Sequence, residues 1–351
     1  MNGKRVLVAM SGGVDSSAAA LLLKERGYDC DGAMLKLLPE ENGKCCSADD
    51  AADARAAAYR LGMKFYVFNE TELFRREVMD RFVSEYCAGR TPNPCIDCNR
   101  CLKFGALMDR ALVLGYDCLA TGHYARVAYD ETAGLYRLLR GRDRAKDQSY
   151  VLYQLTQRQL AHLLLPVGEY DKAAVRSAVR EAGLGNADKP DSQDICFVPD
   201  GDYAGFLERS GVELTPGDFV DRAGNVLGRH RGLPRYTTGQ GKGLGVSLGR
   251  RVYVVGKDPA ANTVTLGDDA DLYTRELTAC RVNWIAGAPP AGPVRCTVKI
   301  RYSQTETPAL AEPLPEGRLR VIFDRPQRAV TAGQAVVLYD GEAVLGGGTI
   351  E

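Results

Sequence analysis

The chain has 351 residues, with 45 lysines and arginines set against 45 aspartates and glutamates, so its formal net charge is zero. That length predicts two or three domains, and a hydrophobic fraction of 45% beside 26% charged residues excludes a disordered or fibrous chain. Bulk charge cannot draw such a protein to nucleic acid, no apolar run is long enough to cross a bilayer, and no signal peptide fits, which makes the cytoplasm the natural location.

In chain order, strands are predicted at Arg5–Met10, Asp31–Leu37, Lys64–Phe68 and Cys118–Gly122, with helices at 16–26, 48–61, 72–88 and 99–114 between them. Gly27, Gly62 and Gly115 stand where left-handed C-caps belong, and Ser47 with Asp49 and Asp50 supplies an N-cap and an acidic first turn. The alternation predicts a doubly wound, Rossmann-like α/β domain with a parallel sheet. Ligands then bind beyond the carboxyl ends of the strands, so the loops after Met10, Leu37 and Gly122 should share one cleft.

The first of those loops is Ser11-Gly12-Gly13-Val14-Asp15-Ser16-Ser17. A strand, a glycine turn and a helix present unpaired N–H groups to an anion, and the serines add hydroxyl donors. The lysine and spacing of a Walker loop are missing, as is G-x-G-x-x-G. SGGVDSS resembles the PP-loop of the ATP pyrophosphatases, which split ATP between its α and β phosphates.

After Phe197 glycine and proline rise and short strand-like runs replace helical periodicity, at Asp218–Val220, Val252–Val255, Thr263–Leu266, Val294–Tyr302, Leu319–Phe323 and Ala335–Tyr339. The expected division is a PP-loop domain at 1–202, a small β-rich domain at 203–275 and a C-terminal β-barrel at 276–351.

Eleven cysteines without a secretion signal predict reduced thiols. The densest stretch is Thr91-Pro92-Asn93-Pro94-Cys95-Ile96-Asp97-Cys98-Asn99-Arg100-Cys101. No second pair follows at zinc-site spacing, and position 105 is Gly where a ferredoxin run needs its fourth cysteine. Cys98 is expected to head the helix 99–114, where the dipole favours thiolate. Cys196, in Asp191-Ser192-Gln193-Asp194-Ile195-Cys196-Phe197, closes a polar loop at the end of the ATP-type domain.

SGGVDSS, the asparagine–proline motif with Cys98-Asn99, and Asp191-Ser192 through Cys196-Phe197, in that order, resemble the tRNA-specific 2-thiouridylases. Ala120-Thr121-Gly122-His123-Tyr124-Ala125, Lys146-Asp147-Gln148-Ser149-Tyr150, Tyr236-Thr237-Thr238-Gly239-Gln240 and Arg301-Tyr302 extend the likeness over nearly the whole chain. The resemblance implies ATP-dependent replacement of the C2 oxygen of the tRNA wobble uridine by sulfur. Cys196 would carry the sulfur as a persulfide, charged by a cysteine desulfurase or a sulfur-relay protein, and Cys98 would resolve it through a transient disulfide. It implies ATP contacts from Ala9, Met10, Ser11, Gly12, Gly13, Val14, Asp15, Ser16, Met34 and Gly122, with Asp15 near magnesium. Contacts to tRNA would come from Asn93, Pro94, Cys95, His123, Lys146, Asp147, Gln148, Arg301, Tyr302 and Gln334, with the target base taken from its stack.

Two positions depart from the family pattern. Cys95 stands where some members have Asp, and Asp97 is the substitute acid if its carboxylate turns inward. Alternatively Cys95, Cys98 and Cys196 are three ligands of a 4Fe-4S cluster whose unique iron carries sulfide, as in related PP-loop thiolases. Gly241 replaces a usual Arg. Arg137, Arg140, Arg142, Arg144 and Lys146, and separately Arg229, His230, Arg231 and Arg235, form basic runs that would hold phosphates or a solvated face. The rivals are another PP-loop ligase, which needs no cysteine pair, and a non-catalytic iron–sulfur or RNA-binding protein retaining a nucleotide fold.

Overall fold

The computed structural model describes residues 3–39, 48–190 and 195–351. The Ser47 cap, Cys45, Cys46 and the stretch Asp191-Ser192-Gln193-Asp194 lie outside the described residues.

The first unit contains strands β1 (Arg5–Ala9), β2 (Asp29–Lys36), β3 (Phe65–Asn69), β4 (Cys118–Ala120), a hairpin of β5 (Ala125–Asp130) and β6 (Leu135–Arg140), and β7 (Leu163–Leu164). Five of them form a parallel sheet in the order β3-β2-β1-β4-β7. Side chains alternate across a strand. Val6 and Val8 therefore face the helices Val14–Glu25, Ala48–Arg60 and Lys172–Glu181, while Leu7 faces the opposite core with Phe74, Phe82, Leu102 and Phe104. Helices on both faces make this the doubly wound domain read from the sequence.

The middle unit is a four-stranded sheet, β8 (Gly217–Val220), β9 (Val226–His230), β10 (Tyr253–Asp258) and β11 (Thr263–Gly267), ordered β10-β11-β8-β9. Phe219, Tyr236, Val254 and Val264 form its own core. The last unit is β12 (Tyr273–Trp284), β13 (Val294–Lys299), β14 (Thr307–Leu314), β15 (Arg318–Arg328), β16 (Ala335–Asp340) and β17 (Ala343–Ile350). Their order β12-β15-β14-β13-β16-β17 returns through a β12–β17 pairing, closing a six-stranded antiparallel barrel.

Two differences from the sequence reading matter for the site. Residues 125–140 form the β5–β6 hairpin, which holds Arg137 and Arg140 of the basic run, and Leu139 pairs with Ala343, so the hairpin extends the barrel's sheet. The helix expected to begin at Asn99 begins at Pro94, continues through a π-wound stretch Cys98–Leu107 and ends as Met108–Val113. Pro in the first turn behind an asparagine cap is a strong start signal, and it places the helix start five residues before Asn99.

Candidate active site

The loop after β1 is held open by local bonds and close packing. Met10 N donates to Ala33 O (2.8 Å), Ser11 N to Ser16 Oγ (3.2 Å), and Ser16 Oγ to Gly13 O (2.9 Å). Gly12 has φ +76°, and a Cβ there would lie 2.3 Å from Asp50 O. A Cβ on Gly122 would lie 2.6 Å from the Asp15 carbonyl carbon, so the end of β4 packs directly on the loop. Gly13 caps the helix Val14–Glu25 with extended backbone and no side-chain bond, which leaves the first-turn N–H groups for an anion. Met10 and Met34 are buried beneath, and Ala9 ends the strand.

Asp15, on the first helical turn, accepts from Lys172 Nζ at 2.7 and 2.8 Å and from Tyr124 OH at 2.8 Å. Asn186 Nδ2 donates to Gly12 O (3.1 Å) and Ser17 Oγ (2.7 Å), and Lys189 Nζ reaches Asp50 and Asp53 (2.5 and 2.8 Å). The segment leading toward Cys196 is thereby fastened to the glycine loop.

The helix beginning at Pro94 carries the cysteines. Asn93 Oδ1 accepts Cys95 N (3.1 Å), fixing the first turn and exposing Cys95. Cys98 therefore sits in the second turn rather than at the helix start, and the dipole effect assigned to it belongs to Cys95's position. Cys98, Cys101 and Cys196 are half-buried against the core on one side of the sheet. Phe197 anchors the Cys196 turn among Phe74, Phe82 and Phe206, with ring centroids 5.1–5.7 Å apart. Asp97 does turn inward, where burial pushes its carboxyl up while Arg81 (3.3 Å) and Arg100 (3.2 Å) oppose the rise. Burial also raises the thiols of Cys101 and Cys118, takes Cys30 to about 11 and Cys296 to about 12, and holds all four protonated near neutrality. Cys30, Cys87, Cys101, Cys118, Cys280 and Cys296 are free thiols. Among the described residues no three Cys, His, Asp or Glu side chains stand as a metal would need them.

The residues expected on the RNA side fall into two groups. Tyr302 is 43% exposed, lies near Cys95, and meets the ring of buried Tyr150 at 6.0 Å. Arg301 donates to the Arg328 and Ala329 carbonyls, and Gln334 Nε2 to Thr91 O (2.7 Å), tying the barrel to the loop before Asn93. Asp147 is buried and accepts Gly141 N, Ser149 N and Ser149 Oγ, while Gln148 Oε1 accepts Tyr124 N (2.9 Å). His123 is buried, bonded to Thr121 Oγ1 (2.7 Å) and held neutral by burial. Lys146 is half-buried in the same turn. Of the basic runs, Arg137, Arg142 and Arg144 pair with Asp130, Glu169 and Glu342, and Arg140 is buried against Glu306 and the Tyr339 ring. Gly241 lies flat against Tyr253, whose ring also carries Arg251 and Arg328, so no room remains for the usual Arg side chain.

The sequence matches the tRNA methyl transferase HUP domain over residues 4–200, the tRNA methyl transferase PRC-barrel domain over 204–268 and the Aminomethyltransferase beta-barrel domain over 274–350. It is 49% identical over 359 residues to the tRNA-specific 2-thiouridylase MnmA of Acetivibrio thermocellus, covering 100% of both chains. It is 52% identical to that of Moorella thermoacetica, covering 98% of this chain and 99% of the relative. The chain belongs to the tRNA-specific 2-thiouridylase family. Among solved structures it is also similar to the U34-tRNA thiolase NcsA from Methanococcus maripaludis with its 4Fe-4S cluster (TM-score 0.36, 18% identity, 60% of this chain and 65% of that one), a likeness too slight to speak to function.

For a 2-thiouridylase, the site as built contains three residues that sequence reasoning passed over: Tyr124, Lys172 and Asn186. Tyr124 lay inside a quoted motif with no role. Lys172 and Asn186 carry no motif, and only the packing of helix Lys172–Glu181 on helix Val14–Glu25 brings them to the loop.

Proposed function

We propose that this 2-thiouridylase activates the C2 oxygen of the tRNA wobble uridine with ATP and replaces it with sulfur carried on Cys196. The observation that carries the reading is one domain holding the uncapped glycine loop with Asp15, the Asn93-capped helix with Cys98, and the anchored Cys196 turn. The uridine O2 attacks the α phosphorus, the α–β bridging bond breaks, pyrophosphate leaves with the electron pair and N3 loses its proton. ATP and magnesium enter as substrate, with Ala9 to Ser16, Met34 and Gly122 around the nucleotide. The terminal sulfur of a Cys196 persulfide then adds at C2 and AMP leaves with the former carbonyl oxygen. Cys98 thiolate attacks the Cys196 sulfur, the S–S bond breaks toward C2, and 2-thiouridine leaves a Cys98–Cys196 disulfide that an external thiol reduces.

The tRNA side comprises Asn93, Pro94, Cys95, His123, Lys146, Asp147, Gln148, Arg301, Tyr302 and Gln334, with Tyr302 the exposed ring for stacking and the buried members holding the surface in shape. The working units are 1–202, 203–275 and 276–351, the protein works in the cytoplasm, and a cysteine desulfurase or relay protein supplies sulfur. No helix among the described residues is long and apolar enough to cross a membrane.

Incubation with tRNA, MgATP, cysteine and a cysteine desulfurase should yield 2-thiouridine by nucleoside mass spectrometry. Cys196→Ser and Cys98→Ser should lower the yield at least a hundredfold. Wild type without product, or full product from Cys196→Ser, would refute the reading. Product that tracks iron content after anaerobic reconstitution would replace the persulfide with the cluster route.

A further inference from the structure

The PP-loop acid Asp15 already has a cation on it, and that cation comes from a helix 157 residues away. Lys172 opens helix Lys172–Glu181. Its backbone is fixed by Asp171, whose Oδ1 accepts Ala174 N (2.8 Å), and by its own N–H on Asp143 Oδ2 (3.1 Å). Its side chain is 12% exposed, and Nζ spans both Asp15 oxygens at 2.7 and 2.8 Å, with the Tyr124 ring 5.7 Å away. Tyr124 is in turn held by Gln148 on both sides of its peptide. So much framing for one ammonium group exceeds what a surface ion pair receives.

We propose that Lys172 is a phosphate-binding residue of the ATP site, which holds Asp15 before nucleotide binds and turns to the β and γ phosphates when MgATP arrives. The proposal rests on the reading of Ser11–Ser17 as the ATP loop. A bare carboxylate on the first helical turn would repel a triphosphate, and Lys172 cancels that charge before nucleotide enters. Magnesium is a hard cation that prefers carboxylate and phosphate oxygens, and it takes over as the counter-ion of Asp15. The ammonium keeps its proton and has three rotatable donors, so it can pass to an anion arriving at the same place without leaving its stem position. When the α–β bond breaks, the departing pyrophosphate gains negative charge and Lys172 stabilises it. A purely structural ion pair between the two helices is the competing account.

The test is a double-mutant cycle read by calorimetric titration with inorganic pyrophosphate, without magnesium, and with MgATP. Lys172→Met should weaken MgATP and pyrophosphate about tenfold or more, as expected for a lost charged hydrogen bond, and Lys172→Arg should recover part of it. Loading of Cys196 with persulfide should stay at the wild-type level. Asp15→Asn releases the lysine, so it should bind magnesium-free pyrophosphate more tightly than wild type, and Asp15→Asn/Lys172→Met should lose that gain. The double variant strands no charge, so its melting curve reports folding if Lys172→Met alone unfolds. Equal pyrophosphate affinity in Asp15→Asn and the double variant would overturn the role of Lys172. Failure of wild type to bind MgATP would overturn the ATP reading itself.

Discussion

His123 shows how far a residue's chemistry can be read before its surroundings are known. Its motif points to RNA, yet the ring is buried beside Phe104 at 5.7 Å and bonded to Thr121. Burial first, and Lys103 second, push its pKa well below 6.5. The folded chain refuses a proton that the unfolded chain accepts, so this stability is present above about pH 6.5 and is lost as pH falls below it. His123→Gln keeps a hydrogen-bonding side chain without the titration. Its melting temperature should fall less steeply than that of wild type between pH 6.5 and 5.5, measured by circular dichroism. Equal slopes would show that His123 is not the residue responsible. The glycine loop, by contrast, was legible because its chemistry is local: strand, two glycines and helix stand within a dozen residues. Lys172 was not, because nothing near it in sequence signals Asp15.

Among the elements, the helix beginning at Pro94 decides where the cysteines point. The sequence contained the start signal, Asn93 followed by Pro94, and reading it as such would have moved Cys98 to the second turn. The π-wound stretch Cys98–Leu107 was not legible, since no residue pattern marks the change in winding; within it Gly105 lies close on the carbonyl of Arg100 five residues back, where a Cβ would sit 2.9 Å from the oxygen. The hairpin β5–β6 was missed because its arginines Arg137 and Arg140 were read with Arg142, Arg144 and Lys146 as one basic run, for phosphates or a solvated face. The Asn93 cap is worth about 1 kcal/mol. Asn93→Ala should lower the melting temperature by about 2–4 °C and lower the turnover of thiolation while the KM for ATP stays unchanged, because the glycine loop lies on a different element. Asn93→Ser, which keeps a capping oxygen, should restore both. A rise in the KM for ATP would mean that the two loops are coupled.

On the scale of the whole molecule, the three units do not carry three independent cores. Ala335, Val337 and Tyr339 on β16 point away from the barrel interior and into the same cluster as Tyr150, Tyr153 and Leu155, while Val336 and Leu338 fill the barrel. Asn283 Nδ2 binds the Tyr153 and Leu155 carbonyls (2.7 and 3.1 Å), and Thr91 N donates to Ala332 O (2.9 Å) beside the Gln334 bond. Composition and strand counting separate these units because they see order along the chain, whereas the shared core joins residues more than a hundred positions apart. Burial of that apolar surface is the main source of cooperativity between the two. The barrel and the glycine-loop domain should therefore melt as one calorimetric transition, with the middle unit, which has its own core around Phe219, free to melt apart. Chain ending at residue 270 would uncover Tyr150, Tyr153 and the β6 edge, and it should aggregate or bind a hydrophobic dye that the full chain excludes. A monomeric fragment of that length with wild-type affinity for MgATP would show that the barrel is an appendage, and would remove the reason for Gln334 and Thr91 to be joined. If the fragment fails as expected, the proposed contact of tRNA with the barrel and the placement of Cys95 and Cys98 are one mechanical problem, because the loop that aims the cysteine helix hangs from the barrel's Ala332 and Gln334.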